Sequence, residues 1–346
     1  MKAQLLQNID ACIVTDKKNR LYCTNYNASN GIVVFTKNED YFLTDFRYIE
    51  EAQSFFREKF TVKTYTDENL KDTLAEILKG AKTVGIEEEI FYPAYKRLIE
   101  ALKGFKVKNI SVILNALKSV KTKSEIETIE FAQSINDKTF NKIKNVIKEG
   151  ITERDLSVEL KYQLLKNGAD EFAFEPIVSF GKNTSKPHAK VSNQKLKTGD
   201  IIMLDFGAKY NNYCSDMTRT LSLGKCADSN FNSAYNLVLK AQTAAINYIK
   251  PGASAFEANE IVREFFMANG CLENFGHGLG HGVGLDIHEF PNLKQTSKDV
   301  LASGMVLTVE PGLYFENYFG VRIEDLLVIT SDGIKNLTKS DKNFVI

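Results

Sequence analysis

The stretch LDFGAKYNNYCSDMTRT, residues 204–220, decides the fold of the second half of the chain, because it predicts a β-hairpin with an aspartate on each strand. An apolar run, IIML, leads into Asp205, and a second strand-like run, YCSDMTRT, contains Asp216. The segment KYNN between the runs is typical of a turn. If strand pairing is centred between Tyr210 and Asn211, the two aspartates lie directly opposite each other on one face. We therefore expect two carboxylates close enough to bridge a pair of cations.

A single aspartate on a hairpin is ordinarily a solvent-exposed residue, and that alternative applies to each of these two taken separately. Asp205, however, directly follows four apolar residues, so we expect it to be buried. A buried carboxylate is costly unless it has a charged or metallic partner. The solvent-exposed alternative is therefore weak for Asp205, which needs a partner.

Five potential metal ligands are distributed over the second half of the chain: Asp205, Asp216, His281, Glu310 and Glu324. Four carboxylates and one imidazole form a hard, anionic set of donors that suits manganese, cobalt or zinc, whereas thiolates would indicate structural zinc. Two such ions can share a hydroxide that is able to hydrolyse amides. The sequence therefore predicts a two-metal hydrolytic site.

The histidines support this prediction independently. Three of the chain's four histidines, His277, His281 and His288, lie together in the glycine-rich segment FGHGLGHGVGLDIHEF, and the fourth, His188, lies in SKPHAK. Glycines remove side chains and allow a ligand to approach the backbone closely. A single histidine is more often structural, but three in such a stretch indicate a binding site.

Four segments resemble the metal-binding motifs of the pita-bread metallopeptidases, the family that contains methionine aminopeptidase, aminopeptidase P and prolidase. They are LDFGAKYNNYCSDMTRT, HGLGHGVGLDIHE, TVEPGLYF and GVRIEDLLVIT. Near the N-terminus, SNGIVVF and YFLTDFRYIEEA resemble the first domain of the proline-specific members. The resemblance implies an α/β N-terminal domain, residues 1–118, followed by an α+β pita-bread catalytic domain, residues 119–346.

The same resemblance implies how the metals are held. One ion would be bound by Asp205, Asp216 and Glu324, and the other by Asp216, His281, Glu310 and Glu324, so that Asp216 and Glu324 bridge. Creatinase has this fold without the metal ligands. Because all five ligands are present here, the sequence does not fit a creatinase.

Further roles follow from the resemblance and from the chemistry of the side chains. His188 matches the family's substrate-side histidine, and His288 matches the histidine seven residues beyond the metal ligand. We expect both to stabilise an oxyanion or to orient the peptide. His277 and Arg322 match positions typical of the proline-specific branch. We expect Glu310 to be both a ligand and a proton shuttle, which accepts the proton of water and delivers it to the leaving nitrogen.

Two roles are open for Arg322. A proline leaving group makes the scissile amide tertiary, without an N–H, so recognition must rest on the ring and on the free amine or carboxylate of the substrate. Arg322 is then a candidate charge partner for the metal carboxylates or for a terminal carboxylate. The alternative is a structural ion pair with an adjacent acid, Glu324 or Asp325.

By resemblance we predict hydrolysis of the bond before proline, by an Xaa-Pro aminopeptidase that releases the N-terminal residue. An Xaa-Pro dipeptidase is the alternative, and the choice depends on whether the cavity is closed beyond the proline. The interval of 14 residues from Glu310 to Glu324 has room only for a short hairpin, so we see nothing that must close it. A catalytically silent binding module of the same fold is a third alternative, although such proteins usually lose ligands or gain basic segments.

Composition limits the possible partners. Lysine plus arginine equals aspartate plus glutamate at 44 each, so no nucleic-acid partner is indicated. No apolar run approaches the length of a membrane span, and MKAQLLQNID lacks the apolar centre of a signal peptide, so we expect a cytoplasmic protein.

The five cysteines show no paired spacing and are expected to be reduced. Among them, Cys214 either lines the metal cavity or is an ordinary buried residue. A homodimer is expected by resemblance only.

The first third of the chain alternates short apolar runs with helical patterns, which predicts an α/β domain with a mixed sheet. Near Ser119 this rhythm changes to the long helical stretch KSEIETIEFAQSINDKTFNKIKNVIKEG, which we take as the domain boundary.

The second domain contains an internal repeat, because residues 147–168 and 249–270 align without gaps at an offset of 102. In each copy a hydroxyl residue followed three positions later by an acid predicts a helix cap, and Asn-Gly predicts the end of the helix. We therefore expect two related halves with the site between them, and helices that cover a curved antiparallel sheet.

Overall fold

The apolar runs near the N-terminus become strands in the computed structural model, which describes residues 1–226 and 228–346. The chain divides into two compact units, Met1–Lys118 and Ser119–Ile346. The first unit contains the helices α1 (Lys2–Leu5), α2 (Lys17–Thr24), α3 (Ile49–Phe56), α4 (Leu70–Ile77), α5 (Tyr92–Ala101) and α6, which ends at the boundary (Ser111–Ser119). Its strands are β1 (Ala11–Val14), β2 (Ile32–Thr36), β3 (Asp40–Thr44), β4 (Thr61–Thr64), β5 (Thr83–Ile86) and β6 (Lys106–Asn109).

These strands form one mixed sheet in the order β4-β3-β2-β1-β5-β6. The β1–β2 and β2–β3 pairs are antiparallel, whereas β1–β5, β3–β4 and β5–β6 are parallel. Strand β1 is buried on both faces, since Cys12 and Val14 belong to one core cluster and Ala11 and Ile13 to another. Helices therefore cover both sides of the sheet, and the predicted α/β domain with a mixed sheet is confirmed.

The second unit begins with two long helices and continues with short strands. Its helices are α7 (Lys123–Lys144), α8 (Glu153–Lys166), α9 (Ser229–Tyr248) and α10 (Ala255–Ala268). Its strands are β7 (Glu171–Phe172), β8 (Ile177–Phe180), β9 (Ile201–Phe206), β10 (Ala208–Tyr210), β11 (Tyr213–Cys214), β12 (Met217–Ser222), β13 (Gly280–Gly282), β14 (Glu289–Leu293), β15 (Val306–Val309), β16 (Gly312–Phe315), β17 (Phe319–Arg322), β18 (Asp325–Ile329) and β19 (Ile334–Asn336).

The strands of this unit pair in antiparallel fashion. Apart from the separate two-stranded sheet β16–β17, they fall into two groups, each covered by a helix pair. The sheets β11-β10-β7 and β12-β9-β8 lie with α7 and α8, whose Phe140 and Leu160 share a core cluster with Leu204. The five-stranded sheet β14-β13-β15-β18-β19 lies with α9 and α10, whose Val238 and Val262 share a core cluster with Leu307. The predicted arrangement of helices over antiparallel strands is confirmed. Within the described residues every helix is too short or too polar to span a bilayer.

The internal repeat is visible in the helix ends. Thr152 caps α8 and Ser254 caps α10, each by accepting a hydrogen bond from the backbone N–H three residues on. Both helices stop before a glycine with positive φ, +109° at Gly168 and +66° at Gly270, a conformation that glycine adopts without steric cost. The predicted caps and stops of the two copies are therefore confirmed.

The hairpin at residues 204–220 forms, but the predicted register is wrong by two residues. Asp205 pairs with Thr218 and not with Asp216, because the pairing is centred between Asn211 and Asn212. Opposite residues of a hairpin share a face, as do residues two apart on one strand. Asp216 is therefore offset along the strand from the position opposite Asp205.

The turn explains this register. Asn211 and Asn212 both have positive φ, +45° and +72°, and Tyr210 pairs with Tyr213 across them. A two-residue hairpin turn with positive φ at both positions matches the right-handed twist of the strands, and asparagine tolerates this conformation better than most residues. The dipeptide Asn-Asn thus forms the loop, which leaves Tyr210 in the strand.

Candidate metal centre

Three of the five predicted ligands lie together at one point. Ligand-type atoms of Asp216, His281 and Glu324 are all within 4.8 Å of one another. Asp216 directly precedes β12, His281 is the central residue of β13, and Glu324 lies between β17 and β18. Residues from three separate hairpins thus converge at this point.

Glu310 and Asp205 flank this group. Oε1 of Glu310 is 3.3 Å from Nε2 of His281, and Oδ2 of Asp216 is 3.7 Å from the same nitrogen. Oδ2 of Asp205, on β9, is 2.6 Å from Nη2 of Arg322. The structure therefore brings all five predicted ligands to one place.

Backbone hydrogen bonds hold the ligand segments against one another. The N–H of Glu310 donates to the carbonyl of Leu279 at 2.8 Å, and the N–H of Glu324 donates to the carbonyl of Thr218 at 3.1 Å. Between the two glutamates runs the hairpin β16–β17, whose register pairs Gly312 with Arg322. The short hairpin expected from the spacing is therefore present. Glu310 lies just before its first strand and Glu324 just after its second strand.

The buried carboxylates of the cluster repel one another. Burial, reinforced by the neighbouring carboxylates, raises the pKa of Asp216 and of Glu324 well above the ordinary values. Among the described residues, Oδ1 of Asp205 and Oδ1 of Asp216 are buried and have no hydrogen-bond partner. Buried, unpartnered carboxylate oxygens that repel one another are suitable donors for hard divalent cations. The residues present thus fit a metal centre.

The orientation of His281 suits metal binding. Its Nδ1 lies 3.1 Å from the carbonyl oxygen of Gly282, to which it donates, so that Nε2 points at Asp216 and Glu310. A hydrogen bond from the second ring nitrogen to a carbonyl is the usual way in which a protein fixes a metal-binding histidine. Burial opposes protonation of His281, but the hydrogen bond and the charge of Glu310, together with the carbonyl of Gly282 and the charge of Asp205, outweigh that effect and raise the pKa of His281. The interaction with His281, acting against burial, lowers the pKa of Glu310 to about 2.

The other three histidines have different surroundings. His277 is half-buried, and its Nδ1 donates to the carbonyl of Gly278 at 2.7 Å. Burial lowers the pKa of His277, so the ring is neutral and its Nε2 accepts a hydrogen bond of 3.1 Å from the hydroxyl of Tyr314. His288 packs edge-on against the ring of His281, with 4.4 Å between ring centroids. His188 is exposed and lines the cavity in front of the ligands.

Arg322 lies at the centre of a hydrogen-bond network, and its acidic partner is one of the predicted metal carboxylates. It pairs with Asp205 at 2.6 Å, whereas Asp325 pairs with Arg219 and Lys342. Of the two roles left open by the sequence, the alternative of a structural pair with Glu324 or Asp325 is therefore wrong, whereas the pairing with a metal carboxylate is present. Asp205 is opposite Thr218, whose hydroxyl accepts from Nε of Arg322, so the strand pairing itself carries the carboxylate to the guanidinium.

Two polar residues of the site were missed in the sequence. The hydroxyl of Tyr314 accepts a 2.6 Å hydrogen bond from Arg322, and the hydroxyl of Thr218 donates to Oε2 of Glu324 at 2.7 Å. The sequence did indicate Thr218, because it lies two residues after Asp216 and therefore on the same face of the strand. Tyr314 gave no such signal, since its role depends on the pairing of β16 with β17.

All the predicted site residues line one cavity of about 880 Å³: Asp205, Asp216, His281, Glu310, Glu324, His188, His277, His288 and Arg322. Cys214 is not among its lining residues and instead packs in a core cluster with Ile129 and Val283, so it is an ordinary buried residue. Exposed cationic residues, Lys190 and Lys294 among them, also line the cavity.

Two family models match the chain in succession. Residues 4–120 match the Creatinase/Prolidase N-terminal domain, and residues 127–331 match metallopeptidase family M24. The second match covers more than half of the chain and contains all five predicted metal ligands.

Individual relatives agree with these matches. The chain is 39% identical to a Xaa-Pro dipeptidase of Pyrococcus furiosus over 79% of this chain and 78% of the relative. Its fold is similar to that of the Xaa-Pro dipeptidase from Bacillus anthracis, with a TM-score of 0.94, 35% identity and coverage of 100% and 99% of the two chains. It is also similar to the X-Pro aminopeptidase from Thermotoga maritima, with a TM-score of 0.90, 32% identity and full coverage of both chains. The chain belongs to metallopeptidase family M24.

Proposed function

We propose that this metallopeptidase hydrolyses the peptide bond that precedes a proline, with two divalent metal ions in the cavity. The observation that carries the proposal is the cluster of Asp216, His281 and Glu324 within 4.8 Å, flanked by Asp205 and Glu310. The names of the similar proteins support the Xaa-Pro specificity.

The proposed ligand sets follow the family resemblance. Asp205, Asp216 and Glu324 would hold one ion, and Asp216, His281, Glu310 and Glu324 the other. We propose manganese as the ion, because the donors are mostly carboxylates. When bound, the ions would lower the pKa of water and polarise the scissile carbonyl.

We assign the proton transfer to Glu310. Its pKa of about 2 keeps the carboxylate ionised at neutral pH, so it can accept a proton from the attacking water. It then delivers that proton to the leaving proline nitrogen. Thr308 donates to Oε1 of Glu310 at 3.3 Å, which restricts the orientation of the carboxylate.

The other cavity residues bind and orient the substrate. His188 and His288 are both accessible and have no hydrogen bond among the described residues, so their ring nitrogens are available to the carbonyl oxygen of the scissile bond. His277, by contrast, is bonded at both nitrogens and would contribute the flat face of a neutral ring to the proline. Arg322 holds Asp205 and Tyr314, and the hydroxyl of Tyr314 in turn bonds the ring of His277, which lines the cavity.

Two activities are compatible with this bond specificity. We propose dipeptidase action on Xaa-Pro as the principal activity, because the Pyrococcus furiosus and Bacillus anthracis proteins carry that name. The Xaa-Pro aminopeptidase predicted from the sequence is the second candidate. A cavity of about 880 Å³ favours it, since pockets of this size hold drug-sized molecules and thus peptides longer than two residues.

A side-by-side assay of Xaa-Pro, Xaa-Pro-Yaa and Met-Ala-Yaa peptides in saturating manganese tests the proposal. Cleavage of Xaa-Pro alone is expected for the dipeptidase, and cleavage of both proline peptides would establish the aminopeptidase. Preferential cleavage of Met-Ala-Yaa would contradict the proline specificity. We also propose a homodimer in the cytoplasm, for which light scattering and cell fractionation are the direct measurements.

A further inference from the structure

His288 is held in the cavity by its backbone and not by its side chain. Its imidazole has no hydrogen-bond partner among the described residues, and its ring contact is with His281, at 4.4 Å between centroids. Because the ring of His288 has this single contact, its position depends on the main chain that carries it.

The main chain concerned is the loop of residues 283–288, between β13 and β14. The strand register shifts between His281 and Gly282, so the loop is not a regular extension of the two strands. One side of the loop is fixed at Gly284, because the carbonyl of Gly284 accepts a 2.8 Å hydrogen bond from the N–H of Cys214. On the other side the loop ends at Glu289, the residue directly after His288.

The carboxylate of Glu289 is turned inward and forms a buried ion pair. Its Oε1 lies 2.5 Å from Nζ of Lys121, and the side chains are only 7% and 1% exposed. Lys121 is itself fixed, because its Nζ donates to the carbonyl of Ser119 at 3.2 Å and its backbone N–H to that of Gly304 at 2.9 Å. Separating a buried pair of this kind would leave each charge uncompensated in the interior, so its partners stay together.

The same carboxylate also lies against the loop backbone. A Cβ atom added to Gly284 would be 2.4 Å from Oε1 of Glu289, which is closer than real Cβ contacts occur. The N–H of Asp286 points to Oε2 of the same carboxylate at 3.4 Å. Glu289 is thus enclosed between Lys121 and the loop that it closes.

We propose that the buried pair of Lys121 and Glu289 positions His288 at the catalytic centre. Neither residue lines the cavity, so both act through the loop as positioning residues. The inference rests on the proposed function only in giving His288 a role in turnover. The geometric part, that the pair sets the place of the His288 ring, stands independently of substrate.

The first test compares Lys121→Met/Glu289→Gln, which removes both charges together, with the conservative Lys121→Arg. With four histidines in the chain, selectively labelled histidine gives a countable set of imidazole NMR signals, and His288→Gln assigns one of them. We expect the double variant to shift or broaden the His288 signal in metal-free protein, while the signals of His188 and His277 keep their positions. Lys121→Arg, which keeps the positive charge, should leave the His288 signal close to its native position.

The kinetic test uses the same variants loaded with manganese. We expect kcat to fall about 10-fold or more with little change in KM and unchanged metal content, since displacement of a positioned group by about 1 Å can cost up to 10²-fold. A merely structural role would instead lower thermal stability and shift all histidine signals together. An unmoved His288 signal together with native kcat in a folded double variant would overturn the proposal.

A second variant reaches the pair from the opposite side. Gly284→Ala places a methyl group against the Glu289 carboxylate without changing any charge, so it should reproduce the His288 shift. Gly333→Ala is the matched control, because no atom lies within 4 Å of the added Cβ there. If the charge variants do not fold, Gly284→Ala is the deciding variant. A native His288 signal in Gly284→Ala would refute the positioning role. If native protein cleaves no proline peptide, the proposed function fails while the NMR result still decides the geometry.

Discussion

Oδ2 of Asp205 accepts a hydrogen bond of 2.6 Å from the guanidinium of Arg322, while Oδ1 of the same carboxylate has no partner among the described residues. The arginine thereby fixes the plane of the carboxylate and leaves one oxygen for a metal ion. Its other nitrogens bond the hydroxyls of Tyr314 and Thr218. One planar group thus orients a proposed ligand and, through Tyr314, the ring of His277 that lines the cavity.

Arg322→Lys should therefore be far from conservative. A lysine ammonium keeps the charge but cannot reach Asp205, Tyr314 and Thr218 at once, so we expect kcat/KM to fall about 10²-fold. Steady-state kinetics and metal analysis by mass spectrometry measure the effect. Arg263→Lys, at a partly exposed pair with Glu260, is the matched control and should leave activity unchanged. Activity of Arg322→Lys within threefold of native would contradict the role.

Glu310→Gln keeps the size of the side chain and removes its charge. We expect turnover to fall by about 10²-fold or more, because the amide cannot accept a proton from water. Glu316→Gln, on the exposed tip of the same hairpin, should be neutral. Near-native turnover of Glu310→Gln with normal metal content would assign the proton transfer to another residue.

Chelation should abolish activity, and manganese or cobalt should restore it best, because carboxylates predominate among the proposed ligands. The measurement is peptide hydrolysis after exhaustive dialysis against chelator and re-addition of single metals. Full activity in a preparation shown to be metal-free would refute the two-metal site.

Metal-free protein should also lose stability as the pH rises. Burial and neighbouring carboxylates raise the folded-state pKa of Asp216 and Glu324, so the folded form binds more protons than the unfolded form above the ordinary carboxyl range of about 4. The stability gained from these protons is present at low pH and is lost as the pH rises through the raised pKa values. Calorimetry from pH 5 to 8 should show Tm falling for metal-free protein and much less for manganese-loaded protein. A metal-free Tm that rises over this interval would contradict the assignment.

The two helix caps of the repeat should differ in strength. Thr152 and Asp155 bond each other reciprocally, whereas Ser254 accepts from the N–H of Glu257 without the return bond among the described residues. We expect Thr152→Ala to lower the free energy of unfolding by about 1–2 kcal/mol and Ser254→Ala by less. Urea denaturation measures both, with the exposed Thr296→Ala as control. Equal losses would show that the return bond adds nothing.

Much of the site could be predicted because its determinants are local in sequence. Asp205 ends an apolar strand, His281 lies among glycines, and the spacing from Glu310 to Glu324 has room only for one hairpin. The caps of α8 and α10 depend on residues three positions apart. The turn at Asn211 and Asn212 was also readable, since both can adopt positive φ, and the error in register came from placing Tyr210 in the turn instead of the strand.

Sequence by itself thus determined the ligand types, the two repeated helices and the mixed sheet of the first unit, because strand patterns, caps and turns arise from neighbours along the chain. The partners of buried charges were decided only by the tertiary structure. Arg322 pairs with Asp205 across 117 residues, and Lys121 with Glu289 across 168. No local pattern selects among the acids available to a buried cation, because the choice depends on which carboxylate loses its water beside that cation when the strands assemble.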